Sequence, residues 1–113
     1  MKFKTSELTG DNLNRAVAFA CGYDFHKSFF INSEKMIPME LWNPEQDWAQ
    51  CGELADKFKI EIKHYPDGYE YPCGAIMLSE NSTSLISEQY GETVRQAICR
   101  CVVASVYGDE VEL

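Results

Sequence analysis

A chain of 113 residues, 45% of them hydrophobic and 25% charged, has the size of one domain, 1–113, and can bury a core without metals or disulfides to staple it. Its net charge of −8 argues against direct contact with nucleic acid or an anionic membrane surface, where Lys and Arg must meet phosphate. No stretch reaches the roughly twenty apolar residues of a membrane span, and no apolar run follows the basic start Met1-Lys2-Phe3-Lys4, so neither a span nor a secretory leader is expected.

The first element announces itself at Leu8-Thr9-Gly10-Asp11-Asn12-Leu13. Thr9 is placed as an N-cap, with Leu8 and Leu13 as the halves of a hydrophobic staple. Leu13, Ala16, Val17 and Ala20 then share one helical face, and Gly22 stands where the helix should stop. This predicts a helix over about 10–21. From Tyr23 to Leu41 neither the helical nor the strand period holds, so the stretch reads as a long loop, with 35–41 a short edge strand weakened by Pro38.

Asn43-Pro44-Glu45-Gln46 reads as a helix start, with Asn43 capping, Pro44 at the first helical position and Gln46 at capping-box spacing. Glu45 and Asp47 would then sit in a first turn that favours negative charge. The helix is expected over about 44–57, burying Trp48, Cys51, Leu54 or Ala55, and Phe58, with Gly52 marking either a weak point or a close approach. Phe58, Ile60 and Ile62 alternate with charged residues as in a half-wet strand. Pro66-Asp67-Gly68 supplies a turn, and a return strand runs from about Tyr69 to Leu78, giving a hairpin over 58–78. Residues 79–91 are polar and read as a connecting loop. Thr93 with Gln96 opens the last helix, about 93–107, in which Val94, Ala97, Ile98, Cys101, Val102 and Ser105 fall at helical spacing, and Gly108 closes it. An acidic tail follows. The expected fold is α+β: a small antiparallel sheet, the hairpin plus the 35–41 edge strand, packed with three helices and holding neither repeat nor linker.

Few residues suggest chemistry. Cys21, Cys51, Cys73, Cys99 and Cys101 are odd in number and scattered, as suits free thiols used as small hydrophobes in a reducing cytoplasm. Cys99 and Cys101 would point about 200° apart on a helix, and His26 and His64 are isolated, so no metal is expected. Glycines lie singly, with no phosphate loop, and no cofactor or catalytic constellation emerges. Asp47-Trp48-Ala49-Gln50 has two readings: Trp48 anchors the helix to the sheet while Asp47 serves its N-terminus and Gln50 is solvated, or Trp48 is an exposed interface anchor. Trp42 and the group Phe25, Phe29 and Phe30 belong to no buried stripe and are expected to supply exposed aromatic surface.

Gly91-Glu92-Thr93 with Ala97, then Arg100-Cys101-Val102-Val103-Ala104-Ser105 and Gly108-Asp109-Glu110-Val111, resembles the C-terminal signature of the NinX family. Lys4-Thr5-Ser6-Glu7-Leu8-Thr9-Gly10, with Leu13, Ala16, Val17 and Ala18, resembles that family's opening, and Asp47-Trp48-Ala49-Gln50 with Gly52 its central motif. Together these cover about half the chain in the right order. Three departures stand out: Cys51-Gly52 replaces a Gly pair, no Pro lies beside Thr93, and Tyr23 to Leu41 has no counterpart. The resemblance implies a tailed phage or prophage as source and a small accessory protein as product, and it implies no reaction.

The readings that follow are of different classes. One is a non-enzymatic accessory protein that binds a host or phage protein, with a basic face on the partner, and inhibits a host defence or nucleic-acid-processing enzyme. Its candidate binding residues are Phe25, Phe29, Phe30, Trp42, Asp47, Trp48 and Gln50. The second is a small enzyme or small-molecule binder with a pocket between the 23–41 segment and the sheet. The third is a DNA mimic. Homodimerisation is also open, through a free edge at the second hairpin strand.

Overall fold

The computed structural model describes residues 1–79 and 84–113. Its axis is helix α3 (Val94–Tyr107), which starts as its sequence dictates: the Thr93 hydroxyl oxygen accepts from the Gln96 amide at 3.0 Å, while the Gln96 side chain accepts from the Glu92 amide at 3.0 Å. Gly108 ends it with φ +78, a conformation that costs other residues a clash. Eight successive residues, Gln96 to Val103, are buried, so the middle of α3 is enclosed on all sides rather than amphipathic. One side meets a three-stranded antiparallel sheet of β5 (Ile60–His64), β6 (Cys73–Leu78) and β7 (Leu85–Gly91), in which β6 is central. Cys73, Ala75 and Met77 of β6 point into the core shared with Ala97, Ile98 and Cys101.

Helix α1 (Gly10–Ala20) buries Leu13, Ala16 and Val17 in that same core, with Leu8 beside them. It ends in a Schellman motif: the Gly22 amide donates to Phe19 and the Tyr23 amide to Ala18, both at 3.0 Å. Its start departs from expectation. Thr9 has the extended backbone of an N-cap but makes no side-chain cap bond, and the carboxylate of Glu45, 35 residues away, accepts from the Gly10 amide at 2.6 Å. Helix α2 (Trp48–Lys57) begins four residues later than its Asn43-Pro44 signal predicts. Residues 44–46 form a separate turn on the Asn43 carbonyl, and the cap is Asp47, which accepts from the amides of Ala49 and Gln50. Glu45 therefore serves the N-terminus of α1, not that of α2. Cys51 and Leu54 form the buried stripe of α2, Ala55 and Phe58 are half-buried, and Gly52 faces open space.

Several expectations about strands are corrected. Residues 23–41 are not a loop: β2 (Asp24–His26), β3 (Phe29–Ile31) and β4 (Met36–Pro38) form an antiparallel meander. The 35–41 strand is real as β4, yet it belongs to this second sheet and not to the hairpin sheet. The meander packs on α1 through Phe30, which joins Ala18 and Tyr23 in a satellite cluster. The hairpin spans 60–78, with Phe58 capping α2 and an eight-residue connection over 65–72 in place of a tight turn. The 79–91 segment holds strand β7, paired along β6 from Leu85, with residues 80–83 outside the described ones. Since β6 is paired on both sides, the free edge expected at the second hairpin strand does not exist. The acidic tail is strand β8 (Glu110–Glu112), which pairs antiparallel with β1 (Lys2–Lys4). Among the described residues no helix is long and apolar enough to cross a membrane.

Candidate protein-binding surfaces

The segment 47–50 is divided between architecture and exposure. Asp47 is used by its own helix as the cap. Gln50 is not solvated: its amide donates to the Leu41 carbonyl at 2.6 Å and its oxygen accepts from the Asn43 amide at 2.7 Å, so it clasps the chain leading into α2. Trp48 projects outward and is 56% exposed, which corrects its place in the buried stripe. The buried stripe of α2 runs through Cys51 and Leu54, and Trp48 lies at its rim on the first residue of the helix. The Arg95 guanidinium lies 4.7 Å from the Trp48 ring centroid, while its Nε donates to the Glu45 carbonyl at 3.0 Å. An exposed indole is thus held by a cation that is itself fixed to the backbone.

The other aromatic candidates do not gather into one exposed surface. Phe30 is buried, Phe29 half-buried and Phe25 48% exposed, its ring 5.4 Å from that of Phe30. Trp42 is half-buried, meets the Tyr23 ring at a tilt and the Phe30 ring edge-on, and donates its indole N–H to the Asn14 carbonyl at 2.7 Å. Phe30 and Trp42 are therefore packing residues, because the meander buries what a loop would have exposed. Trp42 also walls a cleft of about 400 Å³ between the start of α1 and the 39–43 segment, with Asn12, Asn14, Arg15, Phe30 and Asn43 around it. The concave space beside the meander thus opens on α1 and not on the main sheet.

Four of the five thiols are buried and all five are free. Cys99 and Cys101 point apart, as their spacing requires: Cys99 shares a hydrogen bond with Cys51, and the Cys101 sulfur meets the Ser87 hydroxyl at 3.0 Å. The bond to Cys51 and burial together push the Cys99 thiol well above the ordinary range, and the same bond lowers that of Cys51. Burial raises Cys21 and Cys101 as well, so these last two are less nucleophilic than ordinary surface thiols.

A surface that the sequence reading missed lies on the outer face of the main sheet. Tyr65 stacks on Tyr69 with ring centroids 5.3 Å apart and lies 6.0 Å from Tyr90, which stacks with Tyr71 at 6.3 Å. Gly74 permits this: a Cβ there would meet the Tyr65 ring at 3.0 Å and the Tyr90 ring at 3.3 Å. The Tyr90 hydroxyl donates to the Glu88 carboxylate, and that bond, ahead of burial, pushes the phenol up to about 12. The available signal was compositional, since Tyr65, Tyr69 and Tyr71 fall within seven residues of a hairpin connection.

The comparisons with known proteins agree with this architecture. A phage protein from Bacillus cereus ATCC 14579, known from a crystal structure, superposes with a TM-score of 0.62 at 18% sequence identity, covering 92% of this chain and 93% of that one, a likeness of fold. No curated protein matches the chain. The family described as Bacteriophage P22, NinX matches residues 4–106, from the first strand through nearly all of α3, and the chain belongs to that family.

Proposed function

We propose that this protein is a phage or prophage accessory protein that acts by binding another protein, host or phage, through a face centred on Trp48. The exposure of Trp48 supports this reading most directly. A tryptophan that the fold does not need for its core, stacked under a pinned arginine, combines two residue types enriched at binding hot spots with little ordering left to lose on association. The net charge of −8 favours a partner with a basic face, met in the host cytoplasm, and a nucleic-acid-processing or defence enzyme fits that description.

The test is capture from host lysate with tagged wild-type protein and Trp48→Ala, followed by a high-salt wash and mass spectrometry. One basic enzyme should be retained in fixed proportion by the wild type. Trp48→Ala should bind it roughly thirtyfold more weakly, about 2 kcal/mol, while its unfolding midpoint in urea stays within error of the wild type. Undiminished recovery with Trp48→Ala would sink the assignment of this face.

The cleft at α1 favours a second reading, a small-molecule binder, because it sets an indole and a phenyl ring beside amide side chains, the carboxylates of Asp11 and Glu40, and one guanidinium. A small-molecule extract of host cells should then raise the melting temperature of the wild type and not that of Arg15→Ala. Equal shifts for both proteins would remove this reading.

A further inference from the structure

We propose that the tyrosine-lined groove on the outer face of the β5–β6–β7 sheet binds a cationic side chain, a guanidinium or ammonium group, presented by a protein partner. The groove holds about 260 Å³ and is walled by Tyr65, Tyr69, Tyr71 and Tyr90 with Glu70. Ring faces carry the negative end of the aromatic quadrupole, so several rings side by side favour a cation over a neutral apolar group of the same size. The cluster already makes this contact once from within: the buried guanidinium of Arg100 lies 6.0 Å from the Tyr71 ring centroid.

Charge points the same way. Glu70 lines the groove, Glu88 accepts the Tyr90 hydroxyl, and Asp67 stands exposed in the same connection. Against these, Lys63 shares the face through its register with Gly74 and Tyr90. Two carboxylates at the groove thus meet one exposed lysine on its face, and the chain as a whole carries −8, so a basic segment is the occupant that both the rings and the field select. The site is also presented rigidly, since the rings of Tyr65 and Tyr90 rest on Gly74 and the Tyr90 hydroxyl is tied to Glu88.

The test is an NMR titration of the full chain, labelled in its tyrosine rings and Trp side chains, with tetra-arginine, tetra-citrulline and tetra-proline peptides. Tetra-arginine should shift the rings of Tyr65, Tyr69, Tyr71 and Tyr90 saturably, and the neutral peptides should not. Tyr69 is 64% exposed, so Tyr69→Leu keeps the fold and the charge, and should weaken the response about fivefold. Glu70→Gln should weaken it by a similar factor. Trp48→Ala should leave it unchanged, which separates this site from the Trp48 face. Equal shifts with tetra-citrulline, a response to tetra-proline alone, or an undiminished response in Tyr69→Leu would each overturn the proposal.

Discussion

Arg100→Leu is expected to lower the unfolding free energy by about 3 kcal/mol, read as a lower urea midpoint at unchanged slope. Arg100 is 4% exposed in the middle of α3, and its guanidinium reaches the Leu8 carbonyl at 3.0 Å through Nε and the Tyr90 carbonyl at 2.8 Å through Nη1. One side chain thus ties the central helix to the entry of α1 and to the end of β7. Leucine fills most of the volume but leaves two backbone acceptors without their charged donor, and a lost hydrogen bond to a charged group costs about 1.5–3 kcal/mol. Arg100→Lys should recover less than half of the loss, since an ammonium lacks the planar fork that spans two acceptors. A loss below about 1 kcal/mol for the leucine variant would show that water replaces the guanidinium at both carbonyls.

Gly91→Ala is expected to cost about 2–3 kcal/mol by the same measurement. A Cβ at position 91 would sit 2.7 Å from the Ala97 amide nitrogen and 3.1 Å from the Thr93 carbonyl oxygen, both backbone atoms of the turn where β7 enters α3. Neither can step aside without unseating the Thr93 cap and, with it, the first turn of the enclosed helix. Gly52→Ala is the control: that glycine lies inside α2 with nothing within 4 Å of its would-be Cβ, so alanine there should be neutral or stabilising by about 0.5 kcal/mol. A neutral Gly91→Ala would mean that the junction of β7 and α3 yields, and would remove the steric account of this glycine.

These two positions, together with Thr93, also explain part of the family resemblance. Gly91, Thr93 and Arg100 are, respectively, a close approach, a cap and a buried tie, each with a physical task in the fold. Helices were the legible part of the sequence because their signals are local: the Thr93–Gln96 pair, the Gly22 and Gly108 stops, and the period of Leu13, Ala16 and Val17. The start of α2 misled because Asn43-Pro44-Glu45-Gln46 has the composition of a cap and spends it on a turn, with Glu45 diverted to a helix 35 residues upstream. No local pattern encodes such a long-range cap.

The strands were harder for a reason that differs in each case. The turn joining β2 and β3 places Lys27 and Ser28 at φ +48 and +70, a type I′ hairpin built without the Asn-Gly pair that usually announces it. Strand β7 alternates Ser87 and Gln89 inward, polar residues that resemble a loop until Ser87 is seen donating to the Cys101 carbonyl at 3.0 Å. For the candidate surfaces, the sequence left Trp48 either buried or exposed, and the structure places it on the surface at the start of α2. The tyrosine groove shows in the sequence only as the run Tyr65, Tyr69 and Tyr71, because Tyr90 lies 25 residues beyond Tyr65 and reaches it only across β6.

The pairing of β1 with β8 has a consequence for synthesis of the chain. Lys2 to Lys4 leave the ribosome more than a hundred residues before Glu110 to Glu112, their partners in the ladder. The Thr5 hydroxyl likewise waits for the Gly108 carbonyl, and the Leu8 carbonyl for Arg100. Until then the first strand is an unpaired edge in a crowded cell, and its Lys-Phe-Lys pattern guards that edge by placing a cation on each side of the one apolar residue. A strand made this long before its partner gains from flanking charge, which disfavours pairing with other chains in the interval.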